Sequence, residues 1–203
     1  MNTIGLLGGM SWESTAVYYR LINEGVRDRL GSLRSARLVL LSVDFGEIEQ
    51  LQREGRWDVA GARLADDARR LESAGAGCVV LCTNTMHKVA AQVVAATRLP
   101  FLHIADATAA AVARHGARTV GLLGTGFTME QTFFSGHLAQ RHGLRVLVPD
   151  AARRREVHRV IYEELCAGHV VETSRAFLRA TMAGLVAQGA ETILLSCTEL
   201  MLL

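Results

Sequence analysis

Apolar residues follow two rhythms along this chain. Six short runs are almost unbroken: "TIGLLGG" (3–9), "ARLVLLSVDF" (36–45), "GCVVLCT" (77–83), "RTVGLLGTG" (118–126), "LRVLVPD" (144–150) and "ETILLSC" (191–197). They read as buried strands, because a strand covered on both faces has no polar side to present. Between them apolar residues recur at helical spacing, predicting helices over about 12–30, 58–74, 86–96, 152–166 and 172–188. Thr128 and Gln131 have the spacing of a capping box, which predicts a helix start there and a helix running to about 142. "PFLHI" (100–104) is a short extended piece, and Gln52 and Arg53 fall in a loop after the second strand. Strand and helix alternate throughout. The expected class is therefore α/β, with parallel sheets covered on both faces.

The pattern also repeats. "IGLLGGM" (4–10) answers "VGLLGTG" (120–126), and "VVLCTNT" (79–85) answers "ILLSCTE" (193–199). Both matches sit at nearly the same offset, with Gly5 on Gly121 and Leu81 on Leu195. Two similar α/β halves are expected, 1–102 and 103–203. Such halves often face each other across a cleft lined by the C-terminal ends of their strands, and the active site is expected there. In this register Cys82 falls on Ser196, and Thr83 falls on Cys197. Side chains alternate along a strand. If Cys197 looks into the cleft, Thr83 does too, and Cys82 turns into its own half as core filler. A one-residue gap would reverse the two.

Composition narrows the function. Half of the 203 residues are hydrophobic and 21% are charged, as in a soluble globular protein. A net charge of +2 gives no electrostatic basis for binding nucleic acid or an anionic membrane. Arg153-Arg154-Arg155 reads as a solvated face at a helix start before it reads as a phosphate contact. No apolar run approaches a membrane span, and no basic segment precedes an apolar one at the N-terminus. The four cysteines form no CxxC pair, so neither a metal site nor a disulfide framework is indicated. A reducing cytoplasm is the expected compartment.

"GLLGGMSW" (5–12) lacks the G-x-G-x-x-G spacing of a dinucleotide site. It reads instead as a tight turn whose bare backbone N–H groups can hold a carboxylate. Gly124-Thr125-Gly126, Asn84-Thr85 and Thr198-Glu199 read the same way, so a small anionic ligand is expected without an arginine clamp. His87, four residues past Thr83, is either a packed polar group or one that tunes the site. His103 and Asp106 either orient a group between the halves or cap the following helix.

The motifs "IGLLGGMSWEST", "SVDF", "LCTNTMHKVA", "PFLHIADAT", "VGLLGTGFTM" and "SCTEL" together resemble the aspartate/glutamate racemase family, cofactor-independent amino-acid racemases. The resemblance covers essentially the whole chain. It implies two flavodoxin-like halves, no cofactor, a small acidic amino acid as substrate and a homodimer. It also implies two thiols flanking the substrate Cα. The second maps to Cys197. The first position maps to Thr83, since Asn84-Thr85-Met86-His87 follows it, and this is a departure shared with some similar members. Asn84, Thr85, Thr198 and Glu199 match substrate-holding positions. Met10 and Thr125 match contacts near the substrate, and Gln52 matches a position that helps choose the side chain. Family members usually continue past the second motif into a helix that returns to the first half. Its absence from this sequence would leave apolar surface uncovered there.

Racemisation removes the Cα proton on one face and returns one on the other. A thiol whose pKa is lowered by a helix N-terminus can supply thiolate, whereas a threonine hydroxyl is a far weaker acid. Cys197 is thus the expected base and Thr83 the expected acid; the resemblance implies that the second-half thiol meets the L form, so the L substrate is expected to be favoured. Two alternatives stand beside this reading. One is a related isomerase of the maleate isomerase or hydantoin racemase type, which the missing first thiol disfavours. The other is a catalytically impaired small-acid binding protein.

Overall fold

The computed structural model describes residues 2–202 and divides between His103 and Ile104 into two compact units. The first contains β1 (Ile4–Gly8), α1 (Trp12–Leu30), β2 (Leu38–Ser42), α2 (Phe45–Arg53), α3 (Trp57–Ser73), β3 (Cys78–Leu81), a 3-10 turn (Thr85–Val89), α4 (Ala90–Ala96) and β4 (Phe101–Leu102). Its strands are parallel in the order β2-β1-β3-β4. The second contains α5 (Ile104–Arg114), β5 (Thr119–Leu123), α6 (Gly126–Glu130), α7 (Thr132–His142), β6 (Arg145–Leu147) and α8 (Ala151–Arg159). A π turn (Val160–Glu164) and a 3-10 turn (Leu165–Ala167) extend α8, and α9 (Glu172–Ala187), β7 (Thr192–Leu195) and a 3-10 turn (Thr198–Leu202) complete the unit. Its strands are parallel in the order β6-β5-β7. The α/β class with parallel sheets is the one the sequence predicts.

Alternation along β5 builds two cores in the second unit. Val120 and Leu122 point to one side, with Ala105, Ala109, Phe134 and Leu138. Leu123 points to the other, with Val157, Ile161, Leu178 and Leu185. Each of the valine, leucine, isoleucine and phenylalanine side chains buried in this way contributes about 1.5–3 kcal/mol before entropy is charged against it. The first sheet is less evenly covered. Leu7 joins a deep core with Ile48, Leu64, Leu71 and Met86 from α2, α3 and the turn after β3. On its other face the register sets Leu40, Leu6, Val80 and Leu102 in a row across the sheet. Leu6 is fully buried, but Leu40 is 45% and Leu102 55% exposed. That face is covered at its middle and open at its margins, which corrects the expectation of cover on both sides.

Two local expectations fail for identifiable reasons. The second strand ends at Ser42, so Asp44 and Phe45 open a helix instead of prolonging the strand. Asp44 caps α2 by accepting the Gly46 N–H at 2.8 Å. Ile48, Leu51 and Gln52 then share one buried helical face. Gln52 therefore stands in a helix, not a loop. The capping box at Thr128 is also absent. Thr125 is the cap, accepting from the Thr128 N–H at 3.4 Å, and α6 ends before Gln131.

Candidate active site

Both sheets present one loop at the same register. Leu81 pairs with Leu7 across β3 and β1, and Leu195 pairs with Leu123 across β7 and β5. Leu7 and Leu123 are the equivalent leucines of the two "GLLG" runs. The next backbone N–H then bonds the same carbonyl in each unit, Cys82 to Leu7 at 2.9 Å and Ser196 to Leu123 at 2.7 Å. Cys82 is thus the counterpart of Ser196, and Thr83 of Cys197, with no gap between.

The environments agree with that phase. Cys82 is completely buried, and its Sγ makes a long hydrogen bond to the Val80 carbonyl at 3.8 Å. Burial pushes its thiol up to about 12. The neighbouring Tyr18 phenol is pushed up to about 12 as well, by burial first and by Cys82 second. Thr83 is partly buried, two residues beyond the end of β3. Its carbonyl accepts a hydrogen bond from His87 Nδ1 at 2.8 Å. A carbonyl only accepts, so His87 carries its proton on Nδ1. His87 is itself buried, packed edge-on against Phe101 and His103.

Cys197 has a different partner. Its Sγ–H donates to Glu199 Oε2 at 2.9 Å, and the Thr198 hydroxyl donates to the same oxygen at 3.0 Å. The residue starts no long helix, only the 3-10 turn Thr198–Leu202. Burial pushes the thiol well above the ordinary cysteine range, and the Glu199 charge pushes it further. This reverses the expectation of a thiol made acidic by a helix N-terminus. At neutral pH the resting thiol is protonated and held by a carboxylate.

The glycine turns are less open than their sequence suggests. Gly9 has φ +92°, and a Cβ there would lie 2.3 Å from the Val43 carbonyl oxygen, so only glycine fits. Its N–H already donates to Thr15 Oγ1 at 2.8 Å. The Gly126 N–H donates to His158 Nδ1 at 3.1 Å. These two donors are satisfied within the protein and are not bare anion sites. Met10 lies in the first unit's core, and Thr125 is a buried cap touching the Thr128 hydroxyl at 3.3 Å.

The chain matches the Asp/Glu/hydantoin racemase family over residues 7–203. It belongs to that family. By class it is an amino-acid racemase. A Yersinia pestis crystal structure provisionally described as an Asp/Glu racemase is 53% identical, with TM-score 0.95, covering 100% of this chain and 88% of that one. An aspartate racemase homologue from Pyrococcus horikoshii OT3 is 33% identical, with TM-score 0.83, covering 98% of this chain and 87% of that one. The Picrophilus torridus aspartate racemase, 21% identical with TM-score 0.74, shares the fold.

Sequence reasoning missed several features of this racemase. Gln52 is buried on α2 and its amide donates to Met86 Sδ at 3.0 Å, which ties α2 to the turn after β3. In the second unit a cavity of about 280 Å³ opens beside the start of α6. Gly126, Phe127, Gln131, Arg154, Arg155 and His158 line it, with Glu130 bonded to Arg154 at 3.1 Å. Burial lowers the His158 pKa, in keeping with an Nδ1 that accepts from Gly126. Arginine is therefore available beside a glycine turn where none was expected. Among the described residues no helix is long and apolar enough to cross a membrane.

Proposed function

We propose that this racemase interconverts the enantiomers of an acidic amino acid, glutamate or aspartate, by a two-base transfer of the Cα proton. Cys197 acts on one face of Cα and Thr83 on the other. The shared backbone register of these two residues is the observation that supports the pairing. The first thiol of the usual pair is replaced by an alcohol, and the neighbouring thiol is sealed in the core.

The Cys197–Glu199 contact adds a step. The thiol proton moves to Glu199 as the substrate's ammonium group arrives, leaving a thiolate that the cation stabilises and a neutral carboxylic acid. Thiolate takes the Cα proton of the L substrate, and the Thr83 hydroxyl donates to the opposite face. The Thr83 alkoxide then regains a proton from solvent and Glu199 releases one to it, which restores the resting thiol, alcohol and carboxylate. For the D substrate the threonine must act as base, the harder direction. Equilibrium between enantiomers fixes equal kcat/KM for both hands, so the asymmetry is confined to kcat and KM separately and to exchange without inversion.

The test is polarimetry of both enantiomers of aspartate and glutamate with the wild-type chain, Cys197→Ser and Cys82→Ala. Racemisation of at least one acidic pair, abolished in Cys197→Ser and retained in Cys82→Ala, supports the reading. Activity that survives in Cys197→Ser, or is lost in Cys82→Ala with the fold intact, contradicts it.

A further inference from the structure

The second unit contains a cluster that the racemase chemistry does not use. Asp106 stands in the first turn of α5, and His137 and His142 stand on α7, which packs against it. His137 Nε2 lies 2.6 Å from Asp106 Oδ1, and His142 Nε2 lies 2.7 Å from the same oxygen. Two imidazole nitrogens and one carboxylate oxygen thus converge within 4.8 Å of one another. The sequence did not show this, because Asp106 lies 31 residues from His137.

The geometry suits a cation. Two imidazoles and a carboxylate are an ordinary donor set for zinc, and three protein ligands leave one position for water. Tetrahedral bonds of about 2.0–2.1 Å need ligand atoms about 3.3 Å apart. The two edges that meet at Asp106 must therefore open by about 0.6 Å, the difference between that spacing and the present hydrogen bonds. His142 is the last residue of its helix and Asp106 is 44% exposed, so both have room to rotate. His137 is the more enclosed, at 16% exposure, and anchors the arrangement. Each imidazole would offer the Nε2 lone pair with its proton moved to Nδ1, and Asp106 would exchange two hydrogen bonds for a bond to the ion.

The cluster is also separate from the catalytic loop. His142 stands three residues before β6 begins, whereas Cys197 stands two residues after β7 ends. In a parallel sheet these are opposite ends. We propose that Asp106, His137 and His142 form a zinc site that clamps α5 to α7. The clamp lies over the core made by Ala105, Ala109, Phe134 and Leu138. Its role is structural, and it does not depend on the racemase mechanism.

The experiment titrates untagged protein with Zn²⁺ by calorimetry and follows the histidine ring nitrogens by long-range proton–nitrogen NMR. One equivalent is expected, with the Nε2 resonances of His137 and His142 shifted and the thermal midpoint raised. His142→Gln and Asp106→Asn should each weaken the binding at least about tenfold. Both positions are partly exposed, and circular dichroism checks that the variants fold. His137→Gln is the confirming third variant. Binding unchanged in His142→Gln, binding accompanied by loss of free thiol, or no binding at all would overturn the proposal.

Discussion

After β3 the chain reads Cys82-Thr83-Asn84-Thr85; after β7 it reads Ser196-Cys197-Thr198-Glu199. The backbones leave their sheets alike, each with an N–H on the matching leucine carbonyl. The second residue of each loop nevertheless meets different chemistry. At Thr83 the backbone is held, by His87 on the carbonyl, while the side chain is a plain alcohol. At Cys197 the side chain is held, by a carboxylate, and burial first and that charge second raise its pKa. The two loops match in backbone register and differ in the side chain each presents. Cys82 stands opposite a serine in this register, and its side chain is sealed in the core.

The largest expected effect breaks the stronger side. Cys197→Ser removes the thiol base and should lower racemisation of both hands by about 10²–10⁴-fold, read by polarimetry. Breaking the weaker side should separate two reactions. Thr83→Ala should lose racemisation by a similar factor yet keep exchange of the L substrate's Cα proton, read by proton NMR in D₂O. Thr83→Cys should raise turnover of the D substrate, making the two loops chemically alike.

Glu199→Gln sharpens the contrast in a way that a passive neighbour would not. Removing the charge lowers the Cys197 pKa, so alkylation of that cysteine by iodoacetamide at neutral pH, mapped by peptide mass spectrometry, should become faster. Racemisation should become about ten- to a hundredfold slower, because the proton acceptor is gone. Faster alkylation with undiminished racemisation would reduce Glu199 to a substrate contact.

Cys82→Ala should change activity least, and stability by about 1 kcal/mol from lost burial. It should also flatten the alkaline stability profile. The Cys82 thiol and the Tyr18 phenol both sit at about 12 in the fold. The unfolded chain ionises these groups earlier, near 8.5 and 10. It therefore binds fewer protons than the native state above about pH 9, and stability falls as pH rises through that window. Urea midpoints measured at pH 8 and pH 10 should differ less in Cys82→Ala than in wild type.

Much of this was legible because it rests on alternation and repetition. Continuous Leu and Val runs marked the strands, and the paired "GLLG" motifs carried the register that separates Thr83 from Cys82. What escaped the sequence was set by short-range geometry or by tertiary contact. Helix α2 was hidden because Asp44 and Phe45 extend an apolar run that in fact stops at Ser42. Thr125 caps where Thr128 had the better spacing, because the chain turns straight out of β5 at Gly124. The thiol–carboxylate contact depends on a 3-10 turn that brings residues two apart together, and no periodicity announces it. The histidines near Asp106 come from another helix altogether.

The most direct measurement follows L-aspartate and L-glutamate in D₂O with the wild-type enzyme, comparing loss of the Cα proton with appearance of the D form. An acid as weak as Thr83 should return the intermediate to the starting hand repeatedly, so that for the substrate turned over, proton loss outruns inversion and the excess disappears in Thr83→Cys. Equal rates of exchange and inversion in the wild-type enzyme, unchanged by that substitution, would contradict the pairing of Thr83 with Cys197.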